Sequence, residues 1–299
     1  MSITTCTRQL ACLAVLAFVS PALFAVTETN TTDLLNKHLA AIGTPEVRNA
    51  KSRVVEGAAT YKILVGGSGQ VQGKSVFASE GEKVRMLLKV NLDRYHGEQF
   101  IYSGKKTDVA GTYTDKTWSE FGDFLRSQDA PLREGLLGGA LNTTWPLLNL
   151  EAHKANISYE GLKNIDGHQL YAMRYKPKKG TDLSIMLYFD PETFRHVLTV
   201  YTVNRASGLG SIGYEPTPGS TLSTGAAETE SARRNDAHYR IEERFSDFQT
   251  VDGVTLPSRY DLRFSEELQN GFSKVIEWEV STTQVLNNIG LDPKNFEIH

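Results

Sequence analysis

Cysteine is nearly missing from this 299-residue chain: the two that occur, Cys6 and Cys12, both fall within the first 25 residues. The remainder carries no thiol, which excludes disulfides, zinc-thiolate centres and cysteine nucleophiles from it. Histidine does not fill the gap. Seven are present, at 38, 96, 153, 168, 196, 238 and 299, and no two share the short spacing of a metal site, so they read as surface or half-buried structural residues. Neither a Walker loop nor a G-x-S-x-G elbow occurs; Gly66-Gly67-Ser68-Gly69 lacks the final glycine and joins two strands. Gly208-Leu209-Gly210-Ser211-Ile212-Gly213 spells a dinucleotide fingerprint. The following Tyr214-Glu215-Pro216-Thr217-Pro218-Gly219 cannot form the helix whose N-terminus would hold a pyrophosphate.

A large excess of charge of one sign is also missing, with 32 Lys and Arg against 35 Asp and Glu. A net charge of −3 gives no basic field for nucleic acid. The adjacent acids Glu242-Glu243 and Glu266-Glu267 point to opposite faces of a strand and read as solvated, as do Lys178-Lys179 and Arg233-Arg234. No catalytic residue, cofactor or metal ligand is assigned, and the chain is read as a non-enzyme.

Long apolar runs are absent as well. The stretch from Leu10 to Val19 is shorter than the roughly 20 residues a membrane span needs. With Arg8 before it and Ser20-Pro21-Ala22 after it, residues 1–25 read as a secretory signal peptide, cleaved after Ala25. Cys12 is no lipidation site, because most of the apolar run follows it. The expectation is export to the periplasm, with residues 26–299 as one domain. An apolar fraction of 40% makes that domain globular rather than disordered.

What is present is strand texture. In residues 182–204, Leu183, Ile185, Leu187 and Phe189 alternate with Ser184, Met186, Tyr188 and Asp190. Asp190-Pro191-Glu192-Thr193 then turns the chain into a second strand, with Val197, Thr199, Tyr201 and Val203 on one side and His196, Leu198 and Val200 on the other. Further strands are predicted at 53–65, 70–79, 83–90, 97–103, 106–113, 156–164, 168–176, 238–249, 254–265 and 272–284. Their short connections, Asp166-Gly167 and Asp252-Gly253 among them, require antiparallel neighbours. A helix capped by Thr31 or Thr32 runs to Ile42 ahead of Gly43, and Pro45 opens a short one. Residues 116–150 break the strand pattern with Trp118, Phe121, Phe124 and Leu125 at helical spacing. A second turn of helix around Leu132, Leu136 and Leu137 is weakened by Gly135, Gly138 and Gly139, which suggests a movable cover. Residues 205–237, rich in Gly, Ser, Thr and Pro, are predicted to be a long mobile excursion.

The order of helix, meander, helical insertion and further strands, with Tyr188-Phe189-Asp190-Pro191-Glu192-Thr193 and the closing run Phe245 to Pro257, resembles the LolA/LolB-like outer-membrane lipoprotein-sorting proteins. The resemblance implies a mainly β, strongly curved antiparallel sheet: a half-open, incomplete barrel of about 11–12 strands whose concave side, covered by a few helices, holds acyl chains. It implies a carrier of lipid or lipoprotein that works without nucleotide hydrolysis, with envelope donor or acceptor proteins as partners. The chain departs from the family in lacking the acceptor's lipidated cysteine, in its greater length, and in offering no assignable counterpart of the carrier's lid-holding arginine.

Large apolar residues on inner faces and in the insertion are the candidate cavity lining: Leu88, Phe100, Trp118, Phe124, Leu137, Trp145, Leu187, Tyr201, Leu262 and Trp278. They are expected to leave part of the trough vacant for a guest, in a protein read as a monomer. The same residues also fit a closed core. An envelope sensor or protein-interaction module on the same fold is the alternative function. An exported hydrolase would require His168, His196 or His238 to meet a carboxylate and a hydroxyl in one cleft.

Overall fold

The two edges of the sheet are β5 (Thr107–Gly111) and β6 (Asn156–Ile165), neighbours in sequence and at opposite ends of the strand order. In this computed structural model, which describes residues 30–92, 95–113, 119–205 and 237–298, the chain makes one twelve-stranded antiparallel sheet among those residues. β1 (Ser52–Val65), β2 (Gly69–Glu80), β3 (Lys83–Val90) and β4 (Gly97–Tyr102) run out to β5 as a meander. From β6 a second meander runs back through β7 (His168–Lys176), β8 (Ser184–Phe189), β9 (His196–Arg205), β10 (Ala237–Val251) and β11 (Val254–Leu268) to β12 (Ser273–Asn287). β12 pairs with β1 and joins the halves. The sheet is open, since β5 and β6 do not pair. The segment linking β5 to β6 therefore has to pass from one edge to the other, and it does so across the concave side.

Ring contacts measure the curl. Phe77 on β2 and Tyr260 on β11 are three strand positions apart, about 14 Å on a flat sheet, yet their ring centroids lie 5.3 Å apart. Phe121 touches Phe100 of β4 at 5.0 Å and Phe264 of β11 at 5.6 Å, strands five positions apart. The sheet has the antiparallel order that the strand pattern requires and the curved, incomplete-barrel form that the resemblance implies.

The main apolar core fills the concave side, and two smaller clusters sit on the convex one. Covering the trough are α1 (Thr31–Ile42), α3 (Glu120–Ser127), α4 (Ala130–Arg133), α5 (Leu150–His153) and the 3₁₀ turns Gly139–Leu141 and Pro146–Leu148; α2 (Pro45–Arg48) leads into β1. α1 starts one residue earlier than expected, because Asn30 rather than a threonine caps it, its Oδ1 accepting from the Asp33 N–H at 2.8 Å. No helix among the described residues is long and apolar enough to cross a membrane.

The insertion is not the weakened helix the glycines suggested. α4 stops at Arg133, and Gly135, Gly138 and Gly139 take φ of 69°, 82° and 52° in the turns beyond it. At Gly135 a Cβ would stand 2.3 Å from the Thr144 carbonyl oxygen, so glycine is required there and destabilises no helix. Residues 1–25, Trp118 and nearly all of the 205–237 stretch lie outside the described residues; its two end residues, Arg205 and Ala237, are paired strand residues.

On the convex side the C-terminal residues form a separate latch. Phe296 is buried against Ala78 and Ile101, with Lys83 Nζ 5.6 Å from its ring centroid and Arg85 Nη1 donating to the Asn295 carbonyl at 3.3 Å. Phe296→Ala should cost about 3 kcal/mol in urea unfolding, the usual penalty for emptying a buried phenylalanine site. Since the ring faces away from the trough, this substitution should leave binding on the concave side unchanged.

Candidate functional site

Arg53 and Glu243 are two buried charged residues of the trough floor that bond the backbone of its cover. Arg53 lies on the apolar side of β1, in step with Val55, Ala59 and Tyr61, and is buried. Its Nη1 donates to the Ala140 carbonyl of the insertion at 2.7 Å and its Nε to Asn287 Oδ1 at 2.8 Å. Nη2 has no hydrogen-bond partner among the described residues. Glu243, between Ile241 and Phe245 on the concave side of β10, is 0% exposed. Its Oε1 accepts from the Gly138 N–H at 2.6 Å and the Tyr260 hydroxyl at 2.8 Å, and its Oε2 from the Tyr201 hydroxyl at 2.7 Å. Gly138 reaches it through a left-handed turn, where a Cβ would stand 2.8 Å from Asn142 Nδ2.

Burial pushes the Glu243 carboxyl up to about 7, with the three donated hydrogen bonds holding it from rising further. The folded chain therefore binds this proton more tightly than the unfolded one. Its stabilising effect is present below the ordinary carboxylate range and is lost as pH rises through 7. His38 and His196, both depressed by burial, act in the opposite sense as pH falls, so a difference measurement is needed. Between pH 4 and pH 8, wild type should lose about 3 kcal/mol of stability relative to Glu243→Gln, read from paired urea titrations. A constant difference would show that Glu243 does not titrate in this range.

Further fastenings run along the cover. Ser79 Oγ accepts from the Thr143 N–H at 2.9 Å and lies 3.0 Å from Thr143 Oγ1. Tyr175 donates to Glu134 at 3.1 Å, and Lys274 reaches Glu120 at 2.6 Å. Glu98, buried and pushed up chiefly by desolvation, accepts from the Tyr95 hydroxyl at 2.8 Å and from the N–H and hydroxyl of Ser119, which caps α3.

At the α1 end of the trough, Trp145 Nε1 donates to His38 Nε2 at 3.3 Å, while His38 Nδ1 is 3.1 Å from the Phe194 carbonyl. That carbonyl can only accept, so the proton of the neutral ring sits on Nδ1. Trp145 stacks on His196, with centroids 4.7 Å apart. His196 Nε2 lies 2.9 Å from Thr199 Oγ1, and Phe189 and Phe245 close the ring environment. His38 and His196 are thus fully buried rather than superficial.

Two hollows adjoin this assembly. One, lined by His38, Ile42, Ala140, His196, Phe245 and Phe248, holds only about 10 Å³, room for a single water at most. The second, of about 490 Å³, opens between the β2–β3 turn and the insertion and is bordered by Tyr102, Arg133, Glu134, Trp145, Leu148 and Lys179. Among the described residues, irregular backbone as well as helix packs into the trough beside the apolar floor.

No family model matches the sequence, and no curated relative matches it. Solved structures do. Structural neighbours are DUF1329 and LolA-superfamily proteins. A DUF1329 family protein from Desulfovibrio piger is 16% identical, with 89% of this chain and 96% of that one covered and a TM-score of 0.45. A LolA superfamily protein from Nitrosomonas europaea is 11% identical, with coverage of 90% and 98% and a TM-score of 0.44. An outer membrane lipoprotein-sorting protein domain from Vibrio parahaemolyticus is 12% identical, covering 88% and 97%, with a TM-score of 0.40. Likeness at this level concerns the fold alone.

Of the ten candidate lining residues, Leu88, Phe100, Phe124, Leu137, Trp145, Leu187, Tyr201, Leu262 and Trp278 lie in the one concave cluster, all buried. Trp118 is outside the described residues. Trp145 also borders the larger hollow. The reading of Glu242-Glu243 as solvated fails for both, since each is buried. The two do face opposite ways, but only Glu242 meets convex-side arginines, Arg240 and Arg244. The overlooked signal is register: Glu243 and Arg53 each occupy an apolar position of an alternating strand, where a charge must be paired. Among the described residues His168 is exposed, His238 bonds Asn204, and His196 meets a hydroxyl without a bonded carboxylate.

Proposed function

We propose that the protein is an exported carrier that binds the acyl chains of a lipid or lipoprotein in its concave trough, after the insertion between β5 and β6 withdraws, and releases them without nucleotide hydrolysis. The observation that carries this reading is the construction of the cover. The trough floor is continuous sheet, whereas its cover, apart from α1, is one connecting segment, broken by glycine turns and fastened to the floor by hydrogen bonds that join the Arg53 and Glu243 side chains to its backbone. A core meant to stay shut needs no such separable piece.

The energetics are compatible with exchange. Each methylene that enters an apolar site contributes about 0.8 kcal/mol, so a chain of roughly ten carbons offsets several kcal/mol of opening. The buried sheet residues Leu88, Phe100, Leu187, Tyr201, Leu262 and Trp278 are the surface such a chain would occupy, the residues of the insertion, Phe124 among them, giving way to it. The large hollow beside Trp145 and Leu148 is the natural mouth.

Extraction of protein purified from its native envelope should yield bound acyl species, and the delipidated protein should take up a fluorescent fatty-acyl probe saturably. Absence of both would overturn the reading. Recovery of one stoichiometric protein partner without lipid would favour the interaction-module alternative instead.

A further inference from the structure

We infer that Glu243 makes the trough selective for acyl ligands that carry a hydrogen-bond donor next to the chain, an amide N–H or hydroxyl, over those with none. The inference rests on the carrier reading and adds the ligand's polar chemistry to it. Glu243 is the only carboxylate among the described residues that meets trough floor and insertion at once through the phenols of two strands: Tyr201 from β9 and Tyr260 from β11 donate from either side, and the third donor is the Gly138 N–H of the cover. When the cover withdraws, the two tyrosines stay with the sheet and the Gly138 donor leaves with the insertion. A buried acceptor that loses one of its donors is penalised, more so when charged. A bare hydrocarbon cannot replace the donor. An N–H or O–H can.

The other half of the fastening has matching needs. Arg53 gives Nη1 to the Ala140 carbonyl, and its Nη2 has no partner among the described residues. Gly138 N–H and Ala140 C=O lie within one short turn of the same segment, so the cover presents a donor to a carboxylate and an acceptor to a guanidinium. The small group that offers the same pair is a secondary amide. An ester of equal length offers the acceptor without the donor. A site built to receive a hydrogen bond discriminates against the analogue that lacks it more sharply than an apolar pocket discriminates by size.

The test uses a matched pair that differs in one atom, N-methyl dodecanamide and methyl dodecanoate, each displacing a bound fluorescent dodecanoyl probe from the full chain. The amide should compete about tenfold or more better than the ester in wild type. In Glu243→Gln the ratio should collapse toward one, because the side-chain amide accepts more weakly and can itself donate to the ester. Were Glu243 merely structural, the substitution would move both affinities together and preserve the ratio, which would overturn the inference. So would equal competition by amide and ester in wild type, while leaving the carrier reading intact. A probe that never binds, or that neither compound displaces, removes the carrier reading and this inference with it.

Discussion

Joining the insertion to β2 through a disulfide between Ser79→Cys and Thr143→Cys should abolish uptake of an acyl probe, and reduction should restore it. The two hydroxyl oxygens lie 3.0 Å apart, so the carbons that bear them are within reach of a disulfide bridge. Because the chain after residue 25 has no other thiol, the pairing is unambiguous once that stretch is absent. Closing a loop of this length stabilises the folded chain against unfolding by about 4 kcal/mol in the chain-entropy account, and the bridge itself has to break before the cover can leave β2. That raises the cost of withdrawing the cover and ties it physically to the floor. Uptake should fall at least tenfold in the oxidised protein, measured by probe fluorescence with and without reductant. If oxidised and reduced protein take up probe equally, the insertion is not the gate and the proposed carrier mechanism fails.

Strand identity was legible in the chain because alternation and turn chemistry are local. Asp166-Gly167 and Asp252-Gly253 both adopt the paired positive φ that tight hairpins demand, and the strands flanking them begin and end within a few residues of where the apolar period stops. The pairing of β1 with β12 is of another kind. It joins Arg53 to Asn287, and no local pattern in either strand specifies so distant a partner. Without that pairing, the edges of the sheet, and hence the path of the insertion across its mouth, could not be deduced.

His196 illustrates a second limit. Strict alternation sets it with Leu198 and Val200, but an irregularity where Tyr188 and Phe189 meet β9 turns it inward beside Thr199 and Phe189. One extra residue in a ladder reverses a side chain's face, and the sequence carries no mark of it. The inward burial of the apolar candidates was legible from alternation, whereas the path of irregular backbone through the trough was not. How completely irregular backbone can fill a cavity depends on turns such as that at Gly138, not on the count of helices.

Trp145→Ala should move stability and ligand binding in opposite directions. The indole is buried, stacked on His196 and bonded to His38, and it belongs to the insertion rather than to the sheet. Its removal should cost about 3–5 kcal/mol in urea unfolding, the range for emptying a buried tryptophan site, with the His38 Nε2 acceptor left unpaired in addition. In a permanently closed core nothing else would follow. In a carrier, the lost contacts are those that hold the cover down, so part of the cost narrows the gap between covered and open forms. Apparent affinity for an acyl chain scales with the fraction of molecules that are open. A narrowing of only about 1.4 kcal/mol would then tighten probe binding roughly tenfold. Lower stability with stronger uptake is therefore the expected pair of results. Lower stability with unchanged or weaker uptake would mean that Trp145 supports the floor and not the cover, and that the withdrawal step begins elsewhere along the insertion.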